Sequence, residues 1–292
     1  MQSALTCGNA AGTVSTLGGE LVSYRDAEGT EYVWTGDASY WTGHAPVLFP
    51  IVGALKGGTV SIGGSEFQMP KHGIARKREF VLAEQTEDSV TFELKSNDQT
   101  RPLFPHDFCL RITQKISNHG FSTEYDVFCP EGDSFDFCIG GHAGFCCPLH
   151  PGEAFSDYVL EFEQEERPDP CYTDSEGVLH RGQRRQVPMQ GNVLPLDYGM
   201  FDDDVLIFDE IRSRSVKLVH RTTGKGIRFE FNGFSSLGIW TPPGKQAPFL
   251  CLEPWQGLPA YSDEDGAFEH KPGLLRCDSG AHVRRGYQVT IL

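Results

Sequence analysis

The stretch Phe121-Ser122-Thr123-Glu124-Tyr125-Asp126-Val127 alternates apolar and polar side chains with a period of two. That is the signature of a strand with one buried face. Val90, Phe92 and Leu94 read the same way, as do Leu110 and Ile112. Further along, Tyr158, Leu160 and Phe162 form one such set, Ile227, Phe229 and Phe231 another, and Tyr287, Val289 and Ile291 a last one. Between these sets lie Glu28-Gly29, Gly63-Gly64, Asn118-His119-Gly120 and Thr223-Gly224, where positive backbone angles are easily adopted. With 33 glycines and 18 prolines spread along the chain, long helices have little room. Many short strands joined by short turns predict an all-β fold of antiparallel sheets packed face to face. The polar segment from Glu163 to Gln190, rich in charge and proline, reads as a surface excursion between strands. No linker, repeat or low-complexity tract interrupts the pattern, so residues 1–292 are expected to form a single domain.

A chain of 292 residues that is 39% hydrophobic and 11% aromatic can bury a large core. Its net charge of -15 argues against nucleic acid or an anionic membrane surface as partner, because phosphate binding needs a basic face. The nine cysteines are odd in number, Cys146 and Cys147 are adjacent, and none are spaced as a Cys-x-x-Cys pair. Neither a disulfide framework nor a paired zinc motif is indicated, and reduced thiols in a cytoplasmic protein fit that usage. The start, Met1 to Val14, lacks a basic region followed by an apolar segment, so no signal peptide is expected. No stretch approaches the roughly 18 apolar residues of a membrane helix.

Three stretches carry candidate chemistry. In Ile139-Gly140-Gly141-His142-Ala143-Gly144-Phe145, two glycines permit a close approach or a sharp turn, which lets the imidazole of His142 stand in a cleft. Histidine donates or accepts a proton near neutral pH; the plain alternative is a hydrogen-bonded core histidine. In Pro70-Lys71-His72-Gly73-Ile74-Ala75-Arg76, a second histidine precedes an arginine whose planar fork suits vicinal hydroxyls or anions. Lys71, Arg76, Lys77 and Arg78 form the one dense basic cluster of an acidic chain, either a solvated face or a seat for phosphate. In Phe249 to Gly257, Glu253 ends an apolar run, at a sheet rim or partly buried. Burial would raise its pKa toward the range of a general base. Trp255 offers an apolar face to a sugar ring or packs in the core. The run Asp202-Asp203-Asp204 fails the EF-hand pattern and reads as a hydrogen-bonding acid at a strand entrance. His142, Cys146, Cys147 and His150 match no familiar ligand set, so no metal is expected. Phosphate loops, nucleotide-binding glycine fingerprints and the Gly-x-Ser-x-Gly elbow are absent.

Taken together, HAPVLFPIVG (44–53), PKHGIAR (70–76), IGGHAGF (139–145), DDDVLIF (202–208) and CLEPWQG (251–257) resemble the aldose 1-epimerase family in order and spacing, and look most like its LacX-like branch. The resemblance runs from Leu17-Gly18-Gly19-Glu20-Leu21 to the last strand. It implies a galactose-mutarotase-like β-sandwich, a sugar cleft on one face, and no metal or organic cofactor; separately, a monomer or homodimer is expected. It also implies that His142 protonates the ring oxygen of an aldohexose and that Glu253 removes the proton of the anomeric hydroxyl. His72 would bond the sugar near the reacting centre, with Arg76 and Asp204 holding its hydroxyls.

Departures from that pattern bear on the substrate. Ala54 follows the Ile51-Val52-Gly53 turn where relatives often carry a basic residue, Ala143-Gly144 replace proline and alanine, and Lys77-Arg78 replace an acidic position. Three readings result: a mutarotase of free hexoses, a hexose-6-phosphate 1-epimerase, and a non-catalytic carbohydrate-binding or sensing protein on the same fold. Only the first two require both an acid and a base.

Overall fold

The computed structural model describes residues 1–292 and contains strands and short 3₁₀ turns without α-helix. Two large antiparallel sheets dominate. The first has nine strands; at its centre His282–Ile291 lies between Gly226–Glu230 and Gly120–Phe128, and it continues through Cys109–Ser117 and Ser89–Lys95 to the edge strand Val81–Gln85. The stretch that opens the sequence reading pairs along its full length with Cys109–Ser117, Phe121 opposite Ile116 and Tyr125 opposite Ile112. All the period-two sets lie in this sheet, where Ser89–Lys95 and Gly120–Phe128 alternate buried and less buried residues.

The second sheet runs Leu179–Arg184, Cys171–Thr173, Leu206–Phe208, Ser236–Trp240, Phe249–Gln256, Ile139–Gly141 and Val47–Leu48, with Ala143–Cys146 also paired to Phe249–Gln256. The two sheets share one core of 62 buried residues. Phe145 of the second meets Phe229 of the first with ring centroids 5.7 Å apart, and Phe208 meets Phe162 at 5.1 Å. Strands of the second sheet are buried on both faces and so read as continuous apolar runs.

One expectation needs correcting. The segment 163–190 is not a plain surface excursion, because Cys171–Thr173 and Leu179–Arg184 form a hairpin at the edge of the second sheet. Its strands are short and irregular, Cys171 opposing Arg184 and Thr173 opposing Leu179 across a register shift, so no period-two pattern survives. None of the nine cysteines is disulfide-bonded, and no helix is long and apolar enough to cross a membrane.

Candidate active site

Phe249–Gln256 is the strand on which the site is built. Leu250 and Leu252 face the shared core, while Cys251 and Trp255 pack into smaller clusters on the opposite side. Alternation therefore puts Glu253 on that second side as well, at 1% exposure. Next to it the neighbouring chain changes from Ile139–Gly141 to Ala143–Cys146, and His142 sits at the break, its backbone N–H donating to Pro46 O at 3.0 Å. The glycine two residues before it is required by packing. A Cβ on Gly140 would stand 2.9 Å from both Pro254 O and Trp255 Cδ1.

The break brings His142 Nε2 to 3.3 Å from Glu253 Oε1. Burial, followed by the nearby charges of Arg76 and Lys71, lowers the imidazole pKa to about 3. Burial pushes the Glu253 carboxyl well above its usual range, more strongly than Lys71 pulls it down. Both shifts favour the neutral forms, so the empty pair carries one transferable proton and no net charge.

His72 completes the cluster, its ring edge-on to His142 at 5.6 Å between centroids. It holds a left-handed backbone (φ 70), and its Nδ1 accepts a hydrogen bond from Gly53 N at 3.1 Å. In the neutral imidazole that acceptor role leaves the proton on Nε2, as a donor. Burial, then the neighbouring His142, Arg76 and Lys71, keep its pKa well below the ordinary imidazole value.

These residues line a cavity of about 190 Å³ together with Lys71, Arg76, Asp204, Trp41, Trp240, Thr173 and Trp255. Asp204 is also left-handed (φ 75); its Oδ1 accepts from Trp240 Nε1 at 2.6 Å and its Oδ2 lies 3.6 Å from Lys71 Nζ. All six residues singled out from sequence, His142, Glu253, His72, Arg76, Asp204 and Trp255, thus meet at one cavity. Trp255, however, presents no open face for stacking. It is 2% exposed, and a Cβ on Gly238 would lie 2.9 Å from its ring, so the indole packs flat on the sheet.

The basic cluster is split. Lys71 and Arg76 face the cavity, whereas Arg78 Nη1 donates to Gln99 Oε1 at 2.7 Å and neither Arg78 nor Lys77 lines it. Sequence reasoning missed Trp41, Trp240 and Thr173. Trp41 lies three residues before the 44–53 motif, a proximity that offers some signal; Thr173 stands in the irregular hairpin and offers none.

A two-sheet β fold with a buried carboxylate and histidines at a small polar cavity defines the class, and residues 4–271 match the model of the aldose 1-epimerase family. The chain belongs to that family. Among the proteins it resembles is the plasmid-encoded protein LacX of Lactococcus lactis subsp. lactis, 36% identical over 284 residues that cover 95% of each chain. Its fold is that of a galactose mutarotase related enzyme from Lactobacillus acidophilus (TM-score 0.93, 28% identity, 100% of this chain and 97% of the other). It matches a galactose mutarotase-like protein from Lactobacillus casei as closely (TM-score 0.91, 28% identity, 100% of both chains).

Proposed function

We propose that the protein is a cofactor-independent aldose 1-epimerase, a single-domain cytoplasmic isomerase that interconverts the α and β anomers of an unphosphorylated hexose. The observation that carries this reading is the 3.3 Å approach of His142 Nε2 to Glu253 Oε1 at the floor of a cavity rimmed by Arg76 and Asp204.

In the opening step the pair's one proton passes from Glu253 to His142; Glu253 then takes the proton of the anomeric hydroxyl while His142 gives its proton to the ring oxygen. The bond between the anomeric carbon and the ring oxygen breaks and the carbonyl forms. An imidazolium–carboxylate pair thereby becomes a neutral imidazole and a neutral carboxylic acid, the forms that burial favours. Rotation of the aldehyde and the reverse transfers give the other anomer. His72 donates its Nε2–H to a sugar oxygen, and Arg76 and Asp204 hold hydroxyls.

Charge placement supports a free sugar over a phosphorylated one. Lys71 is already paired with Asp204, and Arg78 is turned to Gln99, which leaves Arg76 as the one cavity-lining cation without a carboxylate partner. Polarimetry or anomeric-proton NMR on fresh α-glucose, α-galactose and glucose 6-phosphate tests the reading. Accelerated exchange of a free hexose that vanishes in Glu253→Gln is expected. Preference for the phosphorylated sugar would choose the 6-phosphate epimerase, and saturable binding without acceleration would make the protein a sugar binder.

A further inference from the structure

Buried polar atoms in folded proteins almost always have a hydrogen-bond partner. Four that lack one within the protein belong to residues lining the cavity: His142 Nδ1, Glu253 Oε2, Trp255 Nε1 and Thr173 Oγ1. The first two belong to the acid–base pair. Of the other two, the indole N–H of Trp255 lies against the Glu253 carboxyl, which leaves Thr173 Oγ1 as the one with no part in the proton transfers. Thr173 is 4% exposed and its hydroxyl has no partner within the protein, so only what occupies the cavity, water or ligand, can bond it.

The hairpin that carries Thr173 is fixed by main-chain bonds on its far side. Leu179 N donates to Ala260 O at 2.8 Å, Ser262 N donates to Leu179 O at 2.8 Å, and Ala260 N donates to Ala54 O at 2.9 Å. Within the turn, Asp174 Oδ1 accepts from Glu176 N at 2.9 Å and from Val178 N at 3.0 Å, which sets the loop without help from Thr173. The tip leans on the Ile51–Ala54 turn so closely that a Cβ on Gly177 would be 3.1 Å from Ala54 Cβ. A long side chain at position 54 would collide with it. Small residues at 54 and 177 therefore let the hairpin close one wall of the cavity, and that wall is neutral.

We propose that Thr173 is a specificity-determining residue, whose buried hydroxyl receives one ring hydroxyl of a neutral monosaccharide. Thr173 Oγ1 both donates and accepts. A sugar hydroxyl, itself donor and acceptor, can meet either need of Thr173 Oγ1. A phosphate oxygen accepts only, and it would meet this wall without a cation. The assignment rests on the reading of the cavity as a sugar site but not on catalysis there.

The test compares Thr173→Val, which keeps the shape and removes the hydroxyl, with Thr173→Ser, which keeps the hydroxyl. Dissociation constants for the hexose preferred by the wild type, and for its monodeoxy analogues, are read by ligand-observed NMR, with anomer exchange measured in parallel. Thr173→Val is expected to weaken the full hexose about three- to ten-fold, the scale of one neutral hydrogen bond. It should raise KM with kcat nearly unchanged, leave one deoxy analogue unaffected, and be largely reversed by Thr173→Ser. Equal loss for every deoxy analogue, as a structural role would give, or no loss for any sugar, overturns the assignment. Should the wild type bind hexoses without accelerating exchange, the epimerase reading fails while the same ratios of dissociation constants still decide the role of Thr173.

Discussion

The indole of Trp41 lies flat against the imidazole of His142, with ring centroids 4.8 Å apart and planes 27° from parallel. Trp240 meets the same imidazole edge-on at 5.4 Å and 78°. The imidazole is thus held in one plane by two aromatics. A cation formed on it would sit over an indole face, which attracts positive charge. Trp41→Ala should lower kcat about three- to ten-fold with a smaller change in KM, and Trp41→Phe should recover part of the loss; equal effects on both constants would instead indicate a contact with the sugar.

Removing either half of the pair should stop catalysis. Glu253→Gln and His142→Asn are each expected to lower the rate of anomer interconversion by about 10²- to 10⁴-fold. The near-ultraviolet circular dichroism spectrum should remain that of the wild type. Exchange at wild-type rate in either variant would remove that residue from the chemistry.

The pH profile of kcat/KM follows from the one-proton state of the pair. A second proton enters only near the lowered pKa of His142, about 3, and the single one leaves only above the raised pKa of Glu253. Activity should therefore stay level well below pH 6.5, where an ordinary histidine would titrate. An acid limb near 6.5 would show an imidazole open to solvent.

Stability should report the same shift. In the unfolded chain His142 gains a proton near pH 6.5, whereas in the folded protein it does so near 3. Its neutral burial thus contributes fully above about pH 6.5 and is lost as pH falls through that window. In urea titrations between about pH 6 and 4, His142→Asn should weaken the pH dependence of the unfolding free energy by up to one proton. Glu253 acts oppositely. Its raised carboxyl favours the fold at low pH, and that contribution is lost as pH rises through the folded value.

Cations outside the cavity should be dispensable. Arg78→Ala breaks the contact with Gln99 and should leave KM for the preferred sugar within about two-fold of wild type, because the side chain does not line the site. A large rise in KM for a phosphorylated sugar in this variant would contradict the geometry.

Much of the fold was legible because the first sheet buries one face of its central strands, and a half-buried strand writes its period into the sequence, as from Phe121 to Val127. The site was legible for a related reason. Glu253 interrupts an apolar run and His142 follows two glycines, and both departures are costly unless chemistry or packing requires them. The hairpin at 171–184 was not legible. Its strands are short, shifted in register and held chiefly by main-chain bonds to residues 260–262, interactions any sequence can make. For Trp255 the sequence left two roles open, a face for a sugar or a core ring, because nothing local announces that Gly238 on the adjacent strand clears the space in which its ring lies.

That hairpin has a bearing on how such a protein can diversify. Glu253 sits on an interior strand and His142 at a break between two others, where any change disturbs neighbours on both sides. Thr173 and Gly177 hang from the sheet's margin, on a loop whose anchorage ignores side-chain identity. Exchanging that loop alters what the cavity recognises and spares what it does, so new substrate preferences are open to this scaffold through substitutions that leave the reaction itself untouched.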